Sequence, residues 1–388
     1  MSSPSTLPLA GIRVIEFCHV AAGPFCAMTL ADMGADVVKV EPLKGDGLRA
    51  WPPFSDGYSE NFASINRNKR SIALDLKTEK DLDIARRLIL SADAVVENNR
   101  PGVMARLGLG YDSFKQEKPS LIYASISAFG QTGPRAQDGG FDVTVQAASG
   151  VMSVTGDPDG IPVKAGVPMS DFGAGLYAAF SIVSLLRRVE AGGPGGHIDM
   201  SMYGTNLAFA ALQTSEYFGT GKDPVRMGSS HPRNSPYQAY PAADNHFVLA
   251  AGNDKLFASA CEAIGQPELK DDPRFLTTRD RATNQIELTA ILEPIFKTQP
   301  VSHWIASFRP HGIPCEPING YAAALGDPLV EHFGWVQPLT LPNGVETTTF
   351  ASPIEVAGED FPIRTGPPAL DGDHDDILAE LERLENGS

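Results

Sequence analysis

Cysteine is scarce in this chain and basic charge is in deficit. Only 4 of its 388 residues are Cys, at positions 18, 26, 261 and 315. None stands in a C-x-x-C pair, so neither a zinc site nor a disulfide framework is indicated, and no metal is expected. Lys and Arg number 31 against 47 Asp and Glu, a formal net charge of −16. That balance removes the electrostatic footprint of a nucleic-acid binder, although a local basic groove can still hold a phosphorylated ligand. There is no run of about 18 apolar residues, and the opening Met-Ser-Ser-Pro-Ser-Thr-Leu-Pro lacks the charged and apolar regions of a signal peptide. These absences lead us to expect a protein of the reducing cytoplasm with no membrane span.

What is present is an alternation of strand and helix patterns, in a chain long enough for two domains. Gly11 to Phe17 and Ala35 to Glu41 read as buried strands around a short helix from Pro24 to Met33. Ser71 to Leu76, Ala94 to Glu97 and Leu121 to Ser127 continue the series, with a helix over Glu79 to Ser91. Such βαβ units build a parallel sheet, so the expected class is α/β, a doubly wound parallel-sheet large domain with a smaller α+β domain. The large domain is expected to take residues 1–202 and 331–388. Residues 203–224 form a linker helix and a Gly/Pro-rich loop, and 225–330 the small domain.

Asp171, in Val167-Pro-Met-Ser-Asp-Phe-Gly-Ala-Gly-Leu176, opens a small-residue helix whose apolar positions are Phe172, Leu176, Ala179, Val183 and Leu186. There the helix dipole favours the ionised carboxylate. Asp171 is then either an N-cap or a nucleophile. No other nucleophile competes, since Ser149 lies outside any G-x-S-x-G elbow and the histidines form no H-E-x-x-H pair. The first βα turn, His19-Val-Ala-Ala-Gly-Pro-Phe-Cys26, has one glycine where a dinucleotide fingerprint needs three, which argues against a nicotinamide or flavin cofactor even though Glu41 ends the next strand. Two polar clusters, Asn66 to Ser71 and Glu97 to Gly102 with Arg106 beyond, lie at strand ends, where phosphates and amides are held or where loops are merely solvated. The Gly-rich Ser127 to Arg135 reads as a lid or an ordinary connection.

Together these segments resemble the family III CoA-transferases over nearly the whole chain. The resemblance is carried by Ala22-Gly-Pro-Phe25, Leu30 to Glu41, Asn68-Lys-Arg-Ser71, Glu97-Asn98, Phe129-Gly-Gln-Thr-Gly-Pro134, Ser170-Asp171 and Gly252-Asn-Asp-Lys255. It implies that Asp171 attacks an acyl-CoA thioester, that acyl-CoA and a carboxylic acid are the substrates, with succinyl-CoA one candidate donor, and that no cofactor is permanently bound. It also implies an interlocked homodimer. Matched positions put Val20, Ala21 and Ala22 at the CoA base and ribose, Asn98 and Asn99 at the pantetheine and acyl region, and Arg106 at a phosphate. Lys69 and Arg70 fall in the family's basic strand.

Three departures matter. A basic CoA contact of formyl-CoA transferase is Pro42 here, leaving Lys44 or Arg49 to replace it. A glycine run over that enzyme's active site is replaced by Gly228 to Tyr237, which counts against formate or oxalate; His231 and Arg233 there either meet a second substrate carboxylate or form a dimer or domain contact. In the related 2-methylacyl-CoA racemase a histidine partners the aspartate, and Phe141 takes its place here, which removes one of two proton carriers. A racemase and a non-catalytic acyl-CoA binder are the rival readings.

Overall fold

Adjacent strand residues here are buried on opposite faces, the signature of a sheet covered on both sides. The computed structural model describes residues 7–356 and 359–386. In chain order the first unit places β1 (Arg13–Phe17), α1 (Ala22–Asp32), β2 (Asp36–Glu41), β3 (Lys69–Ala73), α2 (Glu79–Ser91), β4 (Ala94–Glu97), α3 (Val103–Arg106) and β5 (Ile122–Ser127). There follow α4 (Asp142–Ala148), α5 (Met169–Glu190), β6 (Gly196–Ser201), α6 (Met202–Phe209) and α7 (Ala211–Thr220). All six strands pair in parallel, in the order β3-β2-β1-β4-β5-β6. Val14, Val37, Ala94, Val96 and Ile122 face one core, completed by α1 and α5. Ile15, Val38, Val95 and Tyr123 face the other, completed by α2 and by Ile377 and Leu381 of the C-terminal helix His374–Glu385. The period of two in a strand thus sorts one apolar run into two cores.

The pairing of α1 with α5 depends on glycine. A Cβ on Gly175 would meet the Ala22 carbonyl oxygen at 2.7 Å, and one on Gly173 would meet the Phe209 ring at 2.3 Å. The buried face of α5 is accordingly Gly173, Ala174, Gly175, Ala178, Ala179, Ile182 and Leu186. Leu176 and Val183, expected in the core from their spacing, are exposed instead. By length and composition α5 also resembles a bilayer-spanning helix, as core helices with small apolar faces do.

The chain divides into Met1–Val151, Lys164–Gly221 and Leu329–Ser388 on one side, and Met152–Val163 with Lys222–Pro328 on the other. This differs from the expected boundaries in two places. Residues 152–163 join the smaller unit because Arg226 donates to the carbonyls of Asp157 at 3.2 Å and Gly160 at 3.0 Å. The expected linker helix is two helices, α6 and α7, and both lie in the larger unit. The smaller unit has an antiparallel sheet of Cys315–Pro317, His246–Ala250 and Tyr237–Pro241. Its core gathers Tyr240, Phe247, Phe296, Trp304 and Phe308.

Candidate active site

The strand order reverses between β1 and β4, and in an open α/β sheet ligands bind at such a switch point, beyond the strands' carboxyl ends. A cavity of about 540 Å³ lies there, bordered by Phe17 and His19 after β1, Pro42 and Lys44 after β2, Leu76 and Lys77 after β3, and Asn99 and Met104 after β4. A second, of about 390 Å³, adjoins it through Asn99 and is bordered by Asn98, Arg100, Ser127, Gly140, Phe141 and Thr144.

The loop after β1 is held under strain. Val20 has φ +61°, a left-handed conformation costly for a β-branched residue. Its N–H donates to the Asp46 carboxylate at 3.1 and 3.2 Å, and Asp46 pairs with Lys39 at 3.0 Å. Lys39 also binds Glu16 at 2.8 Å, and Glu16 binds Lys69 at 2.8 Å. A fully buried chain of alternating charges therefore anchors the turn. Asn98 clamps the same loop, accepting from the His19 N–H and donating to the His19 carbonyl, both at 2.8 Å. Asn99 donates to the Phe17 carbonyl at 3.1 Å.

Of the expected CoA-binding residues, Val20, Ala21, Asn98 and Asn99 gather around this switch point. Ala22 is buried as the first residue of α1 and packs toward Gly175. Lys69 is a correction: its Nζ is spent on Glu16, the Pro24 carbonyl and Asn66, and burial lowers its pKa. Arg70 is another, because Asp36 and Glu380 occupy its guanidinium at 2.7–3.0 Å. Neither borders the cavity. Arg106 is exposed on α3, whose Met104 lines the cavity. Arg49 cannot replace the base absent at Pro42, since it forks onto Glu41 at 2.7 and 2.8 Å. Lys44 and Lys77 are the cations at the rim. Lys77 went unnoticed in the sequence because it stands in an ordinary polar turn. Glu41, held by Arg49 and Ser71, has no carboxylate to offer a ribose.

Asp171 is not the cap of α5. Pro168 holds that position, and Asp171 is the third residue of the first turn. Among the described residues nothing hydrogen-bonds or pairs with its carboxylate. The expectation that it stays readily ionised is corrected too: burial, and then the nearby Asp142 carboxylate, push its pKa up to about 7. Asp142, first residue of α4, accepts from the Ser170 N–H at 2.9 Å and from Gln146 at 2.7 Å. Asn206 of α6 donates to both Ser170 and Ser149 at 2.9 Å. These buried bonds fix the start of α5 and with it the Asp171 backbone. Phe141, exposed at the head of α4, offers no atom that can carry a proton. In the smaller unit His231 accepts from the Arg233 N–H at 3.1 Å and packs on Tyr237.

A parallel sheet with this crevice, and a half-buried carboxylate on α5 without a partner among the described residues, suit chemistry on an acyl group. The sequence model described as CoA-transferase family III matches residues 9–374. The chain belongs to CoA-transferase family III. Among its relatives is the succinate–glutarate CoA-transferase of Agrobacterium fabrum, 39% identical over 97% of this chain and 96% of that protein. The acetyl-CoA:oxalate CoA-transferase of Acetobacter aceti is 40% identical over 94% and 93% of the two chains. A CAIB/BAIF family protein from Brucella suis superposes with a TM-score of 0.86, 38% identity and coverage of 97% and 100%. A family III CoA-transferase works on CoA thioesters and carboxylates, and the protein is an enzyme of that kind.

Proposed function

We propose that the enzyme moves CoA from a dicarboxylyl-CoA such as succinyl-CoA to a second dicarboxylic acid, through a covalent intermediate on Asp171. The observation that carries this reading is the Asp171 carboxylate, half-buried, unbonded and raised to about 7, on a helix start held by Asp142 and Asn206. The relatives named for succinate and glutarate support the choice of acids. So does the rim of Lys44 and Lys77 around the larger cavity, which suits the phosphates of CoA.

In the first step an Asp171 oxygen adds to the thioester carbonyl and CoA leaves as thiolate, giving a mixed anhydride. The thiolate then attacks the aspartyl carbonyl, releasing the donor acid as a carboxylate and leaving an aspartyl-CoA thioester. The acceptor carboxylate attacks that carbonyl, again expelling thiolate, and the thiolate takes the acceptor acyl group, which restores Asp171. No net proton is consumed, and water must be kept out while the anhydride stands. The Gly-rich segment beyond β5 is the natural cover. A second copy of the chain completes the functional unit as an interlocked homodimer, and the four buried thiols suit a reducing cytoplasm.

Mass spectrometry tests the mechanism. Incubation with succinyl-CoA followed by hydroxylamine or borohydride is expected to mark the peptide containing Asp171. An unmodified peptide after several acyl-CoA donors would overturn the covalent route.

A further inference from the structure

Two successive peptide units at the mouth of the larger cavity are held at both ends by side chains. The Cys18 carbonyl accepts from Lys39 Nζ at 3.0 Å, and the His19 N–H that follows donates to Asn98. The His19 carbonyl accepts from Asn98, and the Val20 N–H donates to Asp46. His19, at the centre of this run, borders the cavity. Asp46 reaches the same cavity from its other wall. It follows the turn Pro42-Leu43-Lys44-Gly45 after β2, of which Pro42, Leu43 and Lys44 border the cavity, and its own N–H donates to the Glu41 carboxylate at 2.8 Å. One residue thus ties the wall after β1 to the wall after β2.

This brace is dry and charged. Lys39 and Glu16 are fully buried and Asp46 is 2% exposed, so each charge depends on its partners. Burial alone would raise the Asp46 pKa, but Lys39 and the Leu48 and Val20 N–H groups hold it below the ordinary carboxylate value. An ionised acceptor is needed there because Val20, at φ +61°, takes a conformation that a β-branched residue keeps only where its surroundings enforce it. In dinucleotide-binding sheets the amides of this turn face a phosphate. Here the Val20 amide is already occupied by an acid of the chain itself, and the turn serves as a shaped wall.

We propose that Asp46, backed by Lys39, is a positioning residue for acyl-CoA: by holding Val20 left-handed it keeps the turns after β1 and β2 preformed as walls of the cavity. The proposal rests on the reading of this cavity as the CoA site and is independent of Asp171. Without the brace the turn relaxes to an unstrained conformation. CoA then has to restore the strained one as it binds, and its apparent affinity falls by the fraction of molecules still competent.

Asp46→Ala is expected to raise the KM for acyl-CoA roughly 5- to 100-fold, the population equivalent of one strained residue, with kcat at saturation within about twofold. Asp46→Asn keeps one acceptor oxygen and is expected to lose less. Asp32→Asn is the structural control, because Asp32 is as buried, pairs with Arg67 at 2.6 Å and borders neither cavity. It should lower Tm and leave KM unaltered. A fall in kcat with KM unchanged in Asp46→Ala would make Asp46 a residue of the fold alone and overturn the proposal. The strain gives a sharper test. In a Val20→Gly background, where the left-handed conformation is free of steric penalty, Asp46→Ala should raise KM by a smaller factor than it does in the wild type, and an undiminished factor would overturn the proposal. Calorimetry with CoA alone separates the brace from the reading of the cavity. CoA affinity that falls in Lys44→Ala and Lys77→Ala but holds in Asp46→Ala overturns the brace and keeps the cavity, whereas affinity unmoved by all three overturns both.

Discussion

Asp171 is where burial and a neighbouring charge outweigh a helix dipole. The dipole at the first turn of α5 lowers a carboxylate pKa by an amount worth about 0.3–1 kcal/mol at an exposed site. Burial and Asp142 act the other way and carry it to about 7. On the proposed route the reactive form is the carboxylate, so activity should fall as pH drops through about 7, and kcat/KM at pH 6 should be several-fold below its value at pH 8. Stability has the opposite dependence. The folded state holds a proton on Asp171 that the unfolded state releases near 3.8, so a penalty builds between those values and is complete above about 7. Asp171→Asn should therefore raise Tm at pH 8 and leave it nearly unaltered at pH 4, as differential scanning calorimetry would read. A gain that is equal at both pH values would refute the coupling. The candidate carboxylate itself was legible in the sequence, from its motif. Its pKa was not, because the Asp142 contact depends on α4, a short helix with no clear apolar period, and on bonds from Asn206, 57 residues from Ser149 and 36 from Ser170 along the chain.

Elements show the same division between local pattern and distant contact. The strands could be read because each is a short apolar run, and α2 because Thr78 caps it and Ile84, Leu88 and Ile89 share a face. The strand placed at Ser71 to Leu76 instead begins at Lys69, since its first two side chains are charged and carry no strand signal. Those charges are satisfied by β1, by β2 and by the C-terminal helix, 310 residues away along the chain in the case of Arg70 and Glu380. No local rule reveals such partners, which is why Lys69 and Arg70 looked like phosphate ligands. The face of α5 was misjudged for a related reason: its closest contacts are made by glycines, which hydrophobic spacing does not count. Gly175→Val puts a branched side chain where 2.7 Å separates a Cβ from the Ala22 oxygen. It should cost about 1–3 kcal/mol or more by overpacking and shift the loop carrying Val20 and Ala21. Chemical denaturation together with the KM for acyl-CoA checks this, and unchanged values of both would mean that α1 and α5 can part freely.

At the scale of the whole molecule, the other side of α5 is apolar and exposed. Phe180 is 71% exposed, Leu176 49% and Val183 43%, and Phe218 on α7 reaches 81%. Soluble monomers rarely leave a helix face such as Leu176, Phe180 and Val183 outward, whereas obligate interfaces resemble a core cut in half. The sequence showed these residues as helical and apolar but could not say which apolar face meets its own chain and which another. Burial against the sheet selects the small residues, because only they allow α1 to approach. The large ones are left outward, and in the proposed homodimer a second copy would meet them with the same surface, as a symmetric interface requires. Phe180→Glu places a charge in the middle of that face, where desolvating it without a partner is costly. Sedimentation should give a dimer mass for the wild-type enzyme and a shift toward monomer for the variant. In the proposed interlocked dimer the chains would separate only after partial unfolding, so tagged and untagged wild-type dimers should also exchange subunits slowly when mixed. Rapid exchange with an intact dimer mass would leave the shared apolar face in place and remove the interlock.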